Sequence, residues 1–363
     1  MIENPFVPGA PLSGDSPMFK GRRYVIHEIK RLALGNAHPF LFIDGERAIG
    51  KTSLLLNLPS FLPEGVISFY LNLSSASALS SDVNYCHSLV RTFIYEGGRQ
   101  GIYLPAEPSR QEFMQDPFWT LERWMDDAFS PRGALSGARV LLLLDDAYQL
   151  GAKLKSGNIS CAVTSHLRSL PCGDKKVSVL LSGCPWGSPL EGISAPLKIE
   201  EMEEDAATSV LVSPVKGFNL SYASGIVDKI LYRTHCHPHL LQLMGWSIFE
   251  AACDTETTFC DERILEVATA EALFTGSSYF LSHWKHSVSP HATPASRFPG
   301  EGFLTALAHG KNFEVRDPYL SLAITWMVRQ KLIEAVGTGY QIRIPLMSQW
   351  IRGYLPKAKP TNS

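Results

Sequence analysis

The sequence predicts an α/β fold in which a parallel sheet lies between two layers of helices, followed by a helical segment and a short helix–hairpin unit. Three observations predict it. Four short apolar runs, at 40–43, 66–73, 140–144 and 177–181, are separated by polar or helix-like stretches. Runs of this kind without polar alternation suit strands buried on both faces, as in a parallel sheet covered by helices. The intervening segments carry helical spacing: Phe118, Leu121, Trp124, Met125 and Phe129 recur at three and four residues, and Leu89, Phe93 and Ile94 do likewise. After about Pro196 helices dominate, at 203–212, 222–232, 238–252 and 261–274, with short connections.

The elements divide the chain in order. Residues 1–36, rich in Pro and Gly with one helix-like stretch at 24–34, form a strap leading into the sheet domain at 37–202. A helical domain at 203–285 follows, then a Pro/Ser/His-rich linker at 286–300. Residues 301–356 carry helices at 302–308 and 319–330 and two short strands around Gly337-Thr338-Gly339, the outline of a winged helix, before a tail at 357–363. No internal repeat and no low-complexity tract is present.

Composition narrows the function classes. The 363 residues hold 33 Lys+Arg against 35 Asp+Glu, a formal net charge of −2, with 45% hydrophobic and 19% charged residues. That excludes general disorder and indiscriminate binding of nucleic acid through bulk charge. The longest aliphatic run, 140–144, is far too short to span a bilayer, and the amino terminus lacks a basic flank followed by an apolar stretch. The reading is a soluble, unsecreted, cytoplasmic protein without membrane insertion. Seven cysteines, an odd number with no CxxC pair, are expected to be reduced thiols.

Chemistry is carried by two motifs. Gly45-Glu46-Arg47-Ala48-Ile49-Gly50-Lys51-Thr52 satisfies G-x-x-x-x-G-K-[ST], with Ser53 following. Glycine permits a tight loop whose N–H groups converge on phosphate oxygens; Lys51 would reach the outer phosphates, and Thr52 would place its hydroxyl on Mg²⁺. The apolar run at 40–43 feeds the loop and a helix leaves it, so the helix N-terminus would lie beneath the anion. Magnesium also requires a carboxylate to anchor its waters. Leu141-Leu142-Leu143-Leu144-Asp145-Asp146 supplies it: Asp145 would hold the Mg²⁺ water shell, and Asp146 would orient or deprotonate the attacking water.

These residues resemble the STAND class of P-loop NTPases, close to AAA+ proteins, and especially its bacterial novel STAND ATPases. The resemblance covers nearly the whole chain. Asn4-Pro5-Phe6, Pro11-Leu12 and Phe19-Lys20-Gly21-Arg22 are similar to the family's opening motif, and the phosphate loop and acidic strand to theirs. Ser178 to Gly183 sits where the family's sensor strand ends. His237-Pro238-His239-Leu240-Leu241-Gln242 resembles the helical-lid motif, and Tyr340 to Leu346 with Trp350 the end of the winged helix. The resemblance implies a nucleotide-gated switch, closed on ADP and opened by ATP with a signal so that subunits assemble. It implies Arg22 near the adenine or the core's edge, and Pro238 packed on the nucleotide from the lid. Three positions depart from the family: Asp146 where many relatives carry Glu, which points to slow hydrolysis, Arg23 where an acid is usual, and no Arg near Ser182.

The function expected is therefore an ATP-binding, slowly ATP-hydrolysing switch that controls a separate effector or sensor protein through nucleotide-dependent homo-oligomerisation. Bacterial defence is the setting the resemblance implies. Two alternatives stay open: an AAA+-like DNA-binding ATPase, acting as a loader or transposition regulator, and a nucleotide-binding scaffold without turnover. Helix 319–330 carries Leu320, Leu322, Ile324, Trp326 and Met327 but only Arg329 as a base, a packing helix more than a phosphate reader. Eight basic against four acidic residues from 301 onward keep DNA as the lesser option. His235, Cys236, His237 and His239 lie too close together, with no second ligand pair, for a zinc finger.

Overall fold

A computed structural model describes residues 3–33, 35, 40–75, 78–172, 175–183, 196–288, 299–311 and 318–354. Cys184, the tail 357–363 and most of the expected linker lie outside the described residues. The chain divides into two compact units, one of residues 11–45 and 50–200 and the other of residues 1–10, 46–49 and 201–363.

The first unit runs α1 (Arg23–Ala33), β1 (Phe40–Asp44), α2 (Lys51–Asn57), β2 (Val66–Asn72), α3 (Asp82–Arg99), α4 (Arg110–Gln115), α5 (Pro117–Phe129), β3 (Arg139–Asp145), α6 (Tyr148–Lys155), α7 (Cys161–Ser169), β4 (Val177–Ser182) and β5 (Leu197–Lys198). Its sheet has the order β2-β3-β4-β1-β5, every pair parallel. The four apolar runs are its four long strands. β5, two residues long and partly exposed, carries too little apolar signal to stand out in the sequence.

Alternation along the strands sorts the two faces. Phe69, Leu142, Leu144, Val179 and Leu181 join one cluster with Leu89 and Phe93 of α3, Trp124 of α5 and Val163 of α7. The Phe69 and Phe93 rings stack at 4.1 Å, and burying each contributes about 2 kcal/mol. α5 carries the residues spaced at three and four, and it starts at Pro117 because the Asp116 carboxylate accepts the Trp119 N–H at 3.0 Å and Pro117 needs no partner in the first turn. Leu141, Leu143, Ser178 and Leu180 alternate to the other face, where α2 packs on β3. The buried Asn57 staples the strap to α2: its amide donates to the Leu12 and Ser53 carbonyls, and its oxygen accepts the Ser16 N–H.

The second unit contains α8 (Glu204–Val212), β6 (Ser221–Tyr222), α9 (Ile226–Thr234), α10 (Pro238–Asp254), β7 (Phe259–Cys260), α11 (Glu262–Thr275), α12 (Ser277–Val288), α13 (Pro299–Ala308), α14 (Pro318–Arg329), β8 (Ile333–Val336), β9 (Gly339–Ile342) and α15 (Pro345–Tyr354). α10, apolar nearly all round, is buried along its length against α8, α9 and α11. Residues 3–7 lie along it: the Asn4 amide donates to Glu250, the Val7 N–H donates to Gln242, and the Phe6 ring covers Gly245. The helix expected at 222–232 begins later, because Tyr222 pairs with Cys260 in a short parallel strand and Gly225, at φ +76°, turns the chain into α9. α12 has no counterpart among the predicted elements. The hairpin β8–β9 forms antiparallel around Gly337, and α15 follows it. Among the described residues, no helix is long and apolar enough to cross a membrane.

Two stability predictions follow from these contacts. A Cβ at position 245 would lie 2.4 Å from the Phe6 ring, so Gly245→Ala is expected to destabilise the second unit by about 2 kcal/mol, read as a lower denaturant midpoint. Phe6→Leu, by making room, should recover part of that loss. In the first unit the buried His166 Nδ1 shares a hydrogen bond with the Tyr85 hydroxyl at 3.1 Å, and Nε2 lies 3.4 Å from Glu122 without hydrogen-bond geometry. Burial, aided by the Lys175 ammonium, holds the imidazole neutral with its pKa pulled down to about 4. The unfolded chain, titrating near 6.5, therefore takes the proton first as pH falls. This contribution is complete above pH 6.5 and is lost toward pH 4, up to about 3 kcal/mol. His166→Gln should flatten the pH dependence of the urea midpoint in that window; an unchanged slope would mean the imidazole takes up its proton equally in the folded and unfolded chain.

Candidate functional site

The carboxyl ends of the parallel strands converge on one edge of the sheet, the place where open α/β sheets bind ligands. β1 ends in Asp44, whose carboxylate accepts the Gly45 N–H at 2.9 Å and so directs the chain into the loop. Gly50 ends the loop at φ +96°, a conformation that favours glycine, and Ala48 stands at φ +62°. Lys51 opens α2, and its ammonium donates to the Gly45 carbonyl at 2.8 Å, closing the loop's two ends on each other. Thr52 is half-buried in the first turn of α2; the Ser53 hydroxyl accepts the Leu12 N–H at 3.0 Å and so holds the strap.

Asp145 closes β3. Its carboxylate is 1% exposed and carries three hydrogen bonds: the Asp146 N–H (3.1 Å) and the Ser182 hydroxyl donate to Oδ1, and the Tyr70 hydroxyl donates to Oδ2 at 3.0 Å. Register explains the meeting: Asn72 pairs with Asp145, Leu144 with Leu181, and Ser182 with Ile43, so β2, β3, β4 and β1 end at one level. Burial, reinforced by the charge of Asp145, pushes the Tyr70 phenol well above its usual pKa and keeps it a donor. Asp146 is half-buried at φ +57°, and Gly183 stands at φ +72°. Asp146, directly after β3, is a non-glycine residue in the left-handed region, a point of backbone strain of the kind found at functional sites.

Hard oxygen donors are what Mg²⁺ takes, and the buried Asp145 carboxylate with the Thr52 hydroxyl is a donor set of that type. Among the described residues no group of three or more His, Cys, Asp or Glu side chains converges as a metal cluster. The remaining predicted residues lie elsewhere. Arg22, buried and at φ +62°, donates to the Glu200 carbonyl just beyond β5, at the edge of the sheet. Pro238 belongs to the second unit, where it opens α10 after the buried His237.

Residues 46–49 of the loop also belong to the second unit. There Arg343, directly after β9, forks between Glu46 at 3.3 Å and Glu201 at 2.6 Å, while Arg47 donates to the Ser282 hydroxyl at 2.9 Å. Tyr279 of α12 packs on His239 at 4.3 Å between centroids. Burial, with the Glu46 and Glu201 carboxylates, raises the Tyr279 phenol, and burial pulls the His239 pKa down to about 4. Tyr70, beside Asp145, is passed over by motif reading. A signal for Tyr70 exists, since Ser68, Tyr70 and Asn72 form the polar alternate of β2 and share a strand face.

No protein family and no curated protein matches the sequence. Solved structures match its fold. The Walker-type ATPase PABY2304 of Pyrococcus abyssi is 14% identical, with a TM-score of 0.63 over 95% of this chain and 99% of that one. The ORC2 protein of Aeropyrum pernix, solved in ADPNP–ADP complexes, is 12% identical, with a TM-score of 0.62 over 96% of this chain and 98% of that one. Drosophila ORC bound to DNA is 11% identical, with a TM-score of 0.51 over 93% and 88%. At these identities the likeness shows the fold alone, a parallel five-stranded sheet with flanking helices followed by further helices.

Proposed function

We propose that this chain binds ATP and ADP with Mg²⁺ at the carboxyl edge of its sheet, hydrolyses ATP slowly, and uses the nucleotide as a switch of the STAND type for assembly with an effector protein. One observation carries the reading: Gly45, which follows β1 and accepts from the Lys51 ammonium, and the buried Asp145 lie at one sheet edge, with only β4 between their strands. In this reading the loop amides of Gly45 to Gly50 and the Lys51 ammonium neutralise the outer phosphates. Thr52 and Asp145 hold the magnesium shell, and Asp146 aligns the attacking water. Magnesium, when bound, spreads charge across the transferring phosphoryl group. The short reach of Asp146 fits low turnover, and a low-turnover site serves a switch better than a metabolic enzyme. Arg22, spent on a backbone carbonyl, serves the sheet edge, and Pro238 faces the nucleotide from the helical lid. The C-terminal helices and hairpin act as a winged helix.

A DNA-binding reading is supported by the likeness to ORC structures, one of them on DNA. The character of α14 favours a protein partner instead: Tyr319 and Leu322 are 74% and 66% exposed, and Arg329 is its only base. Gel shifts with duplex DNA at low salt and saturating ATP are expected to show no complex; a complex weakening steeply with salt would reverse the assignment.

Calorimetry with Mg·ADP and Mg·ATP tests the main reading. Native chain is expected to bind both, and Lys51→Ala to lose at least about 30-fold in affinity. Light scattering should show a larger species with ATP than with ADP. Equal phosphate release by native chain and Asp146→Asn would leave a scaffold without turnover, and absence of heat for any purine nucleotide would remove the site.

A further inference from the structure

Each carboxylate oxygen offers two lone-pair directions. On Asp145 both directions of Oδ1 are taken, by the Ser182 hydroxyl and the Asp146 N–H. Oδ2 accepts one hydrogen bond, from the Tyr70 hydroxyl at 3.0 Å. Among the described residues one direction of Oδ2 remains, for a water on the metal, and which one is set by the phenol occupying the other. Without the phenol the carboxylate is still anchored through Oδ1, but both directions of Oδ2 are open and no donor fixes which of them faces the metal's water.

We propose that Tyr70 is a positioning residue for magnesium, orienting the Asp145 carboxylate from the neighbouring strand so that one defined lone pair faces the cation's water shell. The proposal rests on the nucleotide-binding reading above. It touches neither nucleotide nor metal and acts through Asp145, in the way outer-shell partners commonly change metal affinity by 10- to 100-fold. The geometry is built in by the sheet: Tyr70 pairs with Leu143 and shares a strand face with Asn72, which pairs with Asp145, so a long side chain at position 70 reaches the strand end diagonally. Its ring is also one wall of an open cleft of about 300 Å³ that includes Ser88, Arg91 and Tyr95 of α3, so removing the hydroxyl alone opens no closed cavity in the core.

The test is equilibrium binding of a fluorescent ADP to the full chain, titrated with MgCl₂ and repeated in EDTA, for native chain, Tyr70→Phe and Tyr70→Leu. Tyr70→Phe is expected to raise the magnesium concentration at half-saturation about 10-fold, while affinity in EDTA stays within about twofold of native. Tyr70→Leu should shift the magnesium midpoint as far, because the hydroxyl and not the ring is at issue. A Tyr70→Phe midpoint equal to native overturns the proposal, as does an equal loss of affinity in EDTA or a variant that fails to fold, since either would make the phenol structural. If native chain binds ADP with a magnesium dependence that Tyr70→Phe shares, the positioning role alone fails; if native chain binds no nucleotide under either condition, the underlying reading fails with it.

Discussion

A carboxylate buried to 1% exposure at the end of an aliphatic strand is the constraint around which the first unit is arranged. Burying an ion is costly unless its lone pairs are occupied, and Asp145 meets that requirement with donors from three directions: β2, β4 and its own following N–H. Those donors can meet only if β2, β3 and β4 are parallel neighbours ending at one level, which is what the register provides. The same register brings the end of β1, and with it Gly45 and Lys51, to the same edge. Topology and site chemistry are thus one requirement: a slip of a single residue in β3 would turn Asp145 to the other face and bury a charge against Phe69, Val179 and Leu181 of the neighbouring strands.

Local backbone strain belongs to the same arrangement. Asp146 occupies a left-handed conformation that a side chain ordinarily avoids, and it lies where the chain leaves β3 abruptly. Asp146 follows the aliphatic run directly, and Ala147 donates its N–H to the Ser182 carbonyl, so the turn after β3 is pinned to β4. A pinned turn holds the second carboxylate half-exposed beside the first, giving two adjacent acids unlike surroundings.

Long buried elements were legible in the sequence because burial on both faces leaves an unbroken apolar run, and because helices facing a core must space their large residues at three and four. The 45–52 motif and Asp145 stand out in the sequence because the chemistry proposed for them needs fixed residue types at fixed spacing, and Gly45, Lys51 and Asp145 come to one sheet edge. What escaped did so for physical reasons. β5 and the β6–β7 pair are two residues long per strand and bury little, so their backbone pairing leaves no mark on composition. α12 mixes Tyr279, His283 and Trp284 with polar residues, and its apolar face is too aromatic and polar to read as a stripe. Tyr70 escaped because its role depends on a partner 75 residues away on a neighbouring strand. The opening motif shows the opposite case: a resemblance singled out Asn4 and Phe6, and packing explains them, one satisfying Glu250 and the other filling the space over Gly245.

Within the second unit, the Arg343 fork carries the same logic of compensation. Glu46 and Glu201 are each 12% exposed, and a single guanidinium 15% exposed serves both. Two carboxylates so little hydrated would repel each other if left with a distant or flexible cation, and a lysine, as a point charge without the planar fork, could not serve both in fixed geometry. The guanidinium is held in place by the hairpin, because Arg343 follows β9 directly and its N–H donates to the Leu332 carbonyl at 3.1 Å. The hairpin thus aims Arg343 at Glu46, so that a loop residue is tied to an element nearly 300 positions later in the chain.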